Sequence, residues 1–180
     1  MFNSRRALKS TVILAALFVV SQASAAWVAK GEKSASFKAT GPGGLAIVGS
    51  SADVRVTDKG DTVAVVVGLG SLNTGIELRD KHMKEKYLET PKFPSATLVV
   101  EKSKLKLPSG SADVEGKLTL HGVTKSVKVH YAASGSDKDV SITGSMRINM
   151  KEFDVDVPSY LGVTVKPDVD VTVKFGAADK

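Results

Sequence analysis

The stretch "DVDVTVKF", residues 168–175, alternates without a break. Val169, Val171, Val173 and Phe175 fall on one side, Asp168, Asp170, Thr172 and Lys174 on the other. An extended chain turns successive side chains to opposite faces, so this spacing makes a strand with one buried and one wet face. In "KVHYAA", Val129, Tyr131 and Ala133 share one face while Lys128 and His130 share the other. The pattern predicts strands over 34–40, 45–56, 62–69, 96–102, 111–120, 126–133, 139–150 and 168–175. Between them stand turn-forming clusters, among them "GPGG" (41–44), "TDKGD" (57–61), "LPSG" and "HGVTK", where Pro presets φ and Gly admits positive φ. Gly49 to Ser51 interrupts the second strand and predicts a bend or bulge there.

Eight short strands with turns between consecutive ones argue for an all-β antiparallel sandwich or barrel rather than βαβ units. In a closed sheet the apolar faces point inward. A barrel of that size either fills itself with side chains or holds one small ligand. Small residues assigned to the interior (Ala46, Ala64, Ala112 and Ala133) favour open space.

One segment breaks the alternation. Around "NTGIELRDKHMKEKYLE", Ile76, Met83 and Tyr87 recur at helical spacing, with Leu88 extending the face. Thr74 and Glu77 have the spacing of a capping box, and Pro91 and Pro94 stop the helix. An amphipathic helix over about residues 75–89, inserted between two strands, would lay its apolar face on the barrel or its mouth.

The N-terminus reads as a secretory signal peptide, residues 1–25. It has a basic start (Arg5, Arg6, Lys9), the apolar run Val12 to Val20, and the small residues Ala23-Ser24-Ala25. The apolar run is too short to span a bilayer. The domain proper is then 26–180, and no transmembrane segment is expected after cleavage. Without the three leading cations, 22 Lys+Arg stand against 19 acids, a net +3, so nucleic acid is not an expected partner. The absence of Cys excludes disulfides, thiolate metal sites and Cys nucleophiles.

His82 has three readings: a local hydrogen-bonding residue, a group at a ligand entrance, or a catalytic base. Asp80 lies two positions away on another helical face, so the pair does not orient itself within the helix. No H-x-x-x-H or H-x-H spacing offers a metal site. His121 and Gly122 fit a hairpin turn without any chemistry, and His130 lies on the polar face of its strand. No G-x-S-x-G motif supplies a nucleophile.

"LNTGIELRDKHM…YLETPKFPSATL", "GKLTLHGVTKSVKV" and "MRINMKEFDV…YLGVTVKPDVDVTVKF" resemble, in order, the YceI-like family of bacterial exported proteins. Trp27 followed by "SASFKA" is similar to that family's opening strand. The R-D-x-H and L-x-L-H-G-V-T-K stretches are the most specific parts, carried here by Arg79, Asp80, His82, His121, Gly122 and Thr124. The resemblance implies an eight-stranded, lipocalin-like antiparallel barrel with the helix of residues 75–89 inserted. It also implies a periplasmic location, no cofactor, and an amphiphilic lipid partner such as a polyisoprenoid or fatty amide. Arg79, Asp80, His82 and His121 become the expected ligand-binding residues at the barrel mouth, with no catalytic and no metal-binding residue. A homodimer is an open second partner. Where many members read N-R-x-D-F-G, this chain has Met150, Glu152 and Asp154 in "NMKEFD". That removes a basic group which would meet a pyrophosphate, while an apolar or weakly polar lipid stays compatible. The leading expectation is therefore non-catalytic lipid carriage. A structural or protein-interaction barrel without lipid is the alternative, and a His82–Asp80 hydrolase ranks last.

Overall fold

A computed structural model describes residues 27–136, 138–160 and 163–179. The expected signal peptide, residues 1–25, lies outside the described residues. The strands are β1 (Trp27–Thr40), β2 (Ala46–Ser51), β3 (Val54–Asp58), β4 (Thr62–Gly68), β5 (Ser95–Glu101), β6 (Gly110–Leu120), β7 (Val123–Ser136) and β8 (Asp139–Asn149). The short pair β9 (Ser159–Tyr160) and β10 (Val163–Thr164) follows, and β11 (Asp168–Asp179) ends the chain. Nine of these form one antiparallel sheet in the order β11-β8-β7-β6-β5-β4-β3-β1-β2, which closes through a β11–β1 pairing. The result is a lipocalin-like antiparallel barrel with one short helix.

The strand count corrects the expected eight, because the anticipated strand over 45–56 is two. Ser51 is the cause: its hydroxyl accepts the Asp53 N–H at 3.1 Å, and Val54 N–H turns back to the Ala52 carbonyl at 2.9 Å. A side chain that bonds the backbone two residues on offers the chain an alternative to the ladder. β2 then pairs with β1 over Ala35–Thr40, and β3 touches the same strand through Val28↔Thr57. β1 also begins earlier than the alternation shows, since a register shift between Lys30 and Ser34 re-aligns its first residues on β11.

Inward positions alternate as expected. Val63, Val65 and Val67 on β4, Ala96, Leu98 and Val100 on β5, and Val169, Val171, Val173 and Phe175 on β11 all face the lumen. Ala112 and Ala133 join the interior cluster. The assignments of Ala46 and Ala64 to the interior are corrected. They alternate with Ile47 and with Val63 and Val65, which face the lumen, so both point away from it, Ala46 exposed and Ala64 buried.

The helical segment lies between β4 and β5. It is α1 (Glu77–His82), continued by a π-helical turn over Met83–Tyr87 in which Leu88 N–H bonds the Met83 carbonyl at 2.9 Å. No side chain caps its start, so the expected Thr74–Glu77 capping box does not form. Thr74 is instead engaged by Asp80, as described next.

Candidate functional site

The inward side chains are mostly Val, Ala and Leu, and they do not fill the barrel. A cavity of about 690 Å³ remains, within the ordinary range for small-molecule sites. Gly144 contributes to it. It sits in register between Tyr131 of β7 and Val173 of β11, and a methyl placed there would come no closer than 3.8 Å, to Val129 Cγ1. At one end Leu105 and Leu107, from the loop after β5, pack against the core. That loop is tied down where Lys106 N–H donates to the buried Tyr131 hydroxyl.

The other end is the mouth. There the helical segment presents Ile76, Leu78, Arg79, His82, Met83, Tyr87 and Leu88 to the cavity. Pro42 faces it from the β1–β2 turn, and Met150, Val155, Pro158, Ser159 and Val165 from the connection between β8 and β11. Phe153, fully buried, anchors that connection on a second apolar cluster with Leu69, Leu118 and Ile148. Among the described residues no carboxylate lines the cavity, and its charge-bearing side chains are Arg79 and His82. Met150, the position at which the family resemblance led to the expectation of a missing basic group, faces the mouth and keeps it apolar.

Three of the four expected site residues are brought together and given different tasks. Asp80 is buried, and its Oδ1 accepts both the Thr74 backbone N–H at 2.9 Å and the Thr74 hydroxyl at 2.5 Å. Arg79 donates from Nε to Thr74 Oγ1 and from Nη2 to the Thr74 carbonyl, each at 2.8 Å. The Arg79–Asp80 dipeptide thus clamps the loop leading into α1, leaving only the rest of the guanidinium to the cavity. His82, one turn on, is exposed and lines the mouth. The Asp80 carboxylate is committed to Thr74, not to His82.

His121 lies apart. With φ of 50° at His121 and 80° at Gly122, the two residues form the two-residue turn between β6 and β7, the geometry favoured by right-twisted hairpins. Its Nε2 lies 3.0 Å from Glu89 Oε2 and its ring packs on Phe93 with centroids 4.4 Å apart. It therefore fastens the segment after the helix to the hairpin and does not border the cavity. His130 is exposed on β7 and bonds Asp113 across the strand pair at 2.8 Å.

Of the lining residues at the mouth, Ser159 has no sequence signal, Met150 is marked only by the family resemblance, and Thr74 reads in another role. Met150, expected to end the strand over 139–150, instead begins the connection after Asn149, and Ser159 lies in a stretch without periodicity, so the alternation marks neither as facing inward. Thr74 was legible as a capping residue, but the i+6 spacing to Asp80 matches no local motif.

Fold and cavity together define a lipocalin-like barrel with one apolar lumen and a helix-bordered mouth. The YceI-like domain family matches residues 20–177, and the chain belongs to that family. A UPF0312 protein of Pseudomonas paraeruginosa is 33% identical over 102 residues, 53% of this chain and 52% of that protein. One from Pseudomonas syringae pv. tomato is 32% identical over 117 residues, 61% of this chain and 59% of that one. The chain thus spans little more than half the length of these curated relatives. Among solved structures, a polyisoprenoid binding domain from Saccharophagus degradans superposes with a TM-score of 0.72 at 15% identity, covering 87% of this chain and 100% of that one. Burkholderia cenocepacia BcnA gives 0.66 at 16% identity, covering 80% and 95%. At these identities the likeness establishes the fold.

Proposed function

We propose that this protein binds and carries an amphiphilic lipid of the polyisoprenoid or fatty-chain type inside the barrel, in the bacterial periplasm, without covalent chemistry. The observation that carries the reading is the apolar cavity of about 690 Å³ with its charge-bearing side chains, Arg79 and His82, at one end. Burying a chain gains about 0.8 kcal/mol per CH₂-sized unit, so a long apolar tail needs few polar contacts. His82 and the unused part of the Arg79 guanidinium can donate to a neutral or weakly polar headgroup, while Asp80 and His121 support the mouth indirectly. The S. degradans neighbour, described as a polyisoprenoid binding domain, supports this ligand class. Residues 1–25, read as a cleaved signal peptide, support export. The lipid-free structural barrel is disfavoured, because a scaffold has no need to leave its interior unfilled.

The test is mass spectrometry of the organic extract of protein purified from bacterial cells. One bound lipid per barrel is expected. An empty barrel that also refuses an added prenyl alcohol would refute the reading.

A further inference from the structure

The large hydrophobic side chains exposed among the described residues gather at one place. They are Leu45 and Val48, 62% and 53% exposed, and Ile76 and Leu78, 52% and 64% exposed. Leu45 and Val48 belong to the β1–β2 corner, Ile76 and Leu78 to the start of the helical segment. The two groups are neighbours: Ser50 and Asn73 exchange backbone hydrogen bonds at 2.9 Å, and Gly49 lies directly against Thr74. Ile76 and Leu78 also line the cavity, so apolar surface runs unbroken from lumen to exterior on this flank of the mouth.

The charge around this patch is also uneven. Residues 36–50 and 73–88 carry five cations (Lys38, Arg79, Lys81, Lys84 and Lys86) against three carboxylates, Glu77, Asp80 and Glu85. Asp80 is buried in its contact with Thr74. The exposed acids Glu152, Asp154 and Asp156 lie instead on the connection after β8, further round the strand order.

We infer that this flank, Leu45, Val48, Ile76 and Leu78 with Lys81 and Lys84 beside them, docks on an anionic lipid bilayer surface so that the carried lipid passes between bilayer and lumen without crossing water. Apolar side chains flanked by lysines are the chemistry that a headgroup boundary accepts: the former enter the acyl edge and the latter stay with anionic headgroups. A water-facing protein partner would match the apolar patch equally well. It would not explain why the patch continues into the cavity that holds the cargo. The inference rests on the carriage reading.

The test is co-sedimentation of the chain from Ala26 onward, which contains every strand of the closed barrel, with vesicles of phosphatidylglycerol and phosphatidylethanolamine. Uptake of geranylgeraniol from detergent micelles is measured in parallel. Neither Leu45 nor Val48 lines the lumen, so Leu45→Ser/Val48→Ser should weaken vesicle partitioning by roughly tenfold or more while leaving uptake unchanged. Lys81→Glu/Lys84→Glu should weaken partitioning at low salt and much less at high salt. Sedimentation with failed geranylgeraniol uptake would uphold docking and sink carriage. Uptake without sedimentation would overturn docking alone, as would a solution dimer that Leu45→Ser/Val48→Ser splits.

Discussion

Thr74 gives both its backbone N–H and its hydroxyl to one oxygen of Asp80, the Oδ1 atom, at 2.9 and 2.5 Å. Asp80 is buried, so this pairing fixes the start of the helical segment that borders the mouth. Hydrogen bonds to a charged group contribute about 1.5–3 kcal/mol each. Asp80→Asn and Thr74→Val should each lower unfolding free energy by about 2 kcal/mol, read by denaturant titration, with Thr74→Ser close to wild type. Hydrogen exchange should quicken across residues 74–88 in the first two variants. Unchanged exchange there would mean the pair does not hold the segment.

Gly144 tests the lumen. Its missing side chain faces open space, with Val129 Cγ1 the near neighbour at 3.8 Å, and its φ needs no glycine. Gly144→Phe should enter the cavity without backbone strain, keep the Tm within a few degrees, and cut prenyl-chain uptake severely. Gly49→Ala should do the reverse. Its new methyl would meet the Phe37 ring and Thr74 closer than any real contact, a clash of the kind that costs about 1–3 kcal/mol, so the Tm falls.

His121 and Glu89 should act on the mouth only through structure. His121→Ala removes the contact with Glu89 and the packing on Phe93. The expected result is lower protection of residues 88–94 in hydrogen exchange, with saturating lipid stoichiometry unchanged. Loss of stoichiometry in an otherwise folded protein would give His121 a direct part in ligand contact.

Acid should weaken the barrel through its outer face. The hydrogen bond from Arg147 Nε holds the Asp170 carboxyl below its ordinary value of 3.8, and the bond with His130 does the same for Asp113. A depressed carboxylate stabilises the fold fully above the unfolded value and loses that contribution as pH falls through the folded one. Stability should therefore drop as pH falls below about 4. Asp170→Asn should flatten that acid limb while leaving its shape above about pH 5 unchanged. Both carboxylates are solvent-exposed, so the effect is small and best read as a difference between the two pH profiles.

The barrel was legible because its walls obey one rule. A strand such as β11 must keep Val169, Val171, Val173 and Phe175 on the lumen side, and any slip would expose them all. What escaped detection is governed by contacts distant in sequence or by single side chains. An interruption at Gly49 to Ser51 was expected as a bend or bulge, but the Ser51 hydroxyl that accepts the Asp53 N–H and divides the strand in two leaves no mark in the alternation. The small-residue argument for an open lumen failed at Ala46 and Ala64, because alanine fits an exposed outer position such as Ala46, or a buried one off the lumen such as Ala64, as well as it fits the interior. Space comes instead from Gly144 and the valines. Arg79, Asp80 and His82 stood out as a motif, yet only the Thr74 contacts separate the two clamp residues from the one left to the mouth.

The most direct test of the account is the content of the lumen. Native mass spectrometry of the barrel from Ala26 onward, purified from bacterial cells, should show a mass excess matching one lipid, absent from Gly144→Phe, and the organic extract should identify it as a prenyl or fatty chain. A wild-type barrel at its bare polypeptide mass that stays so after incubation with geranylgeraniol would contradict the account.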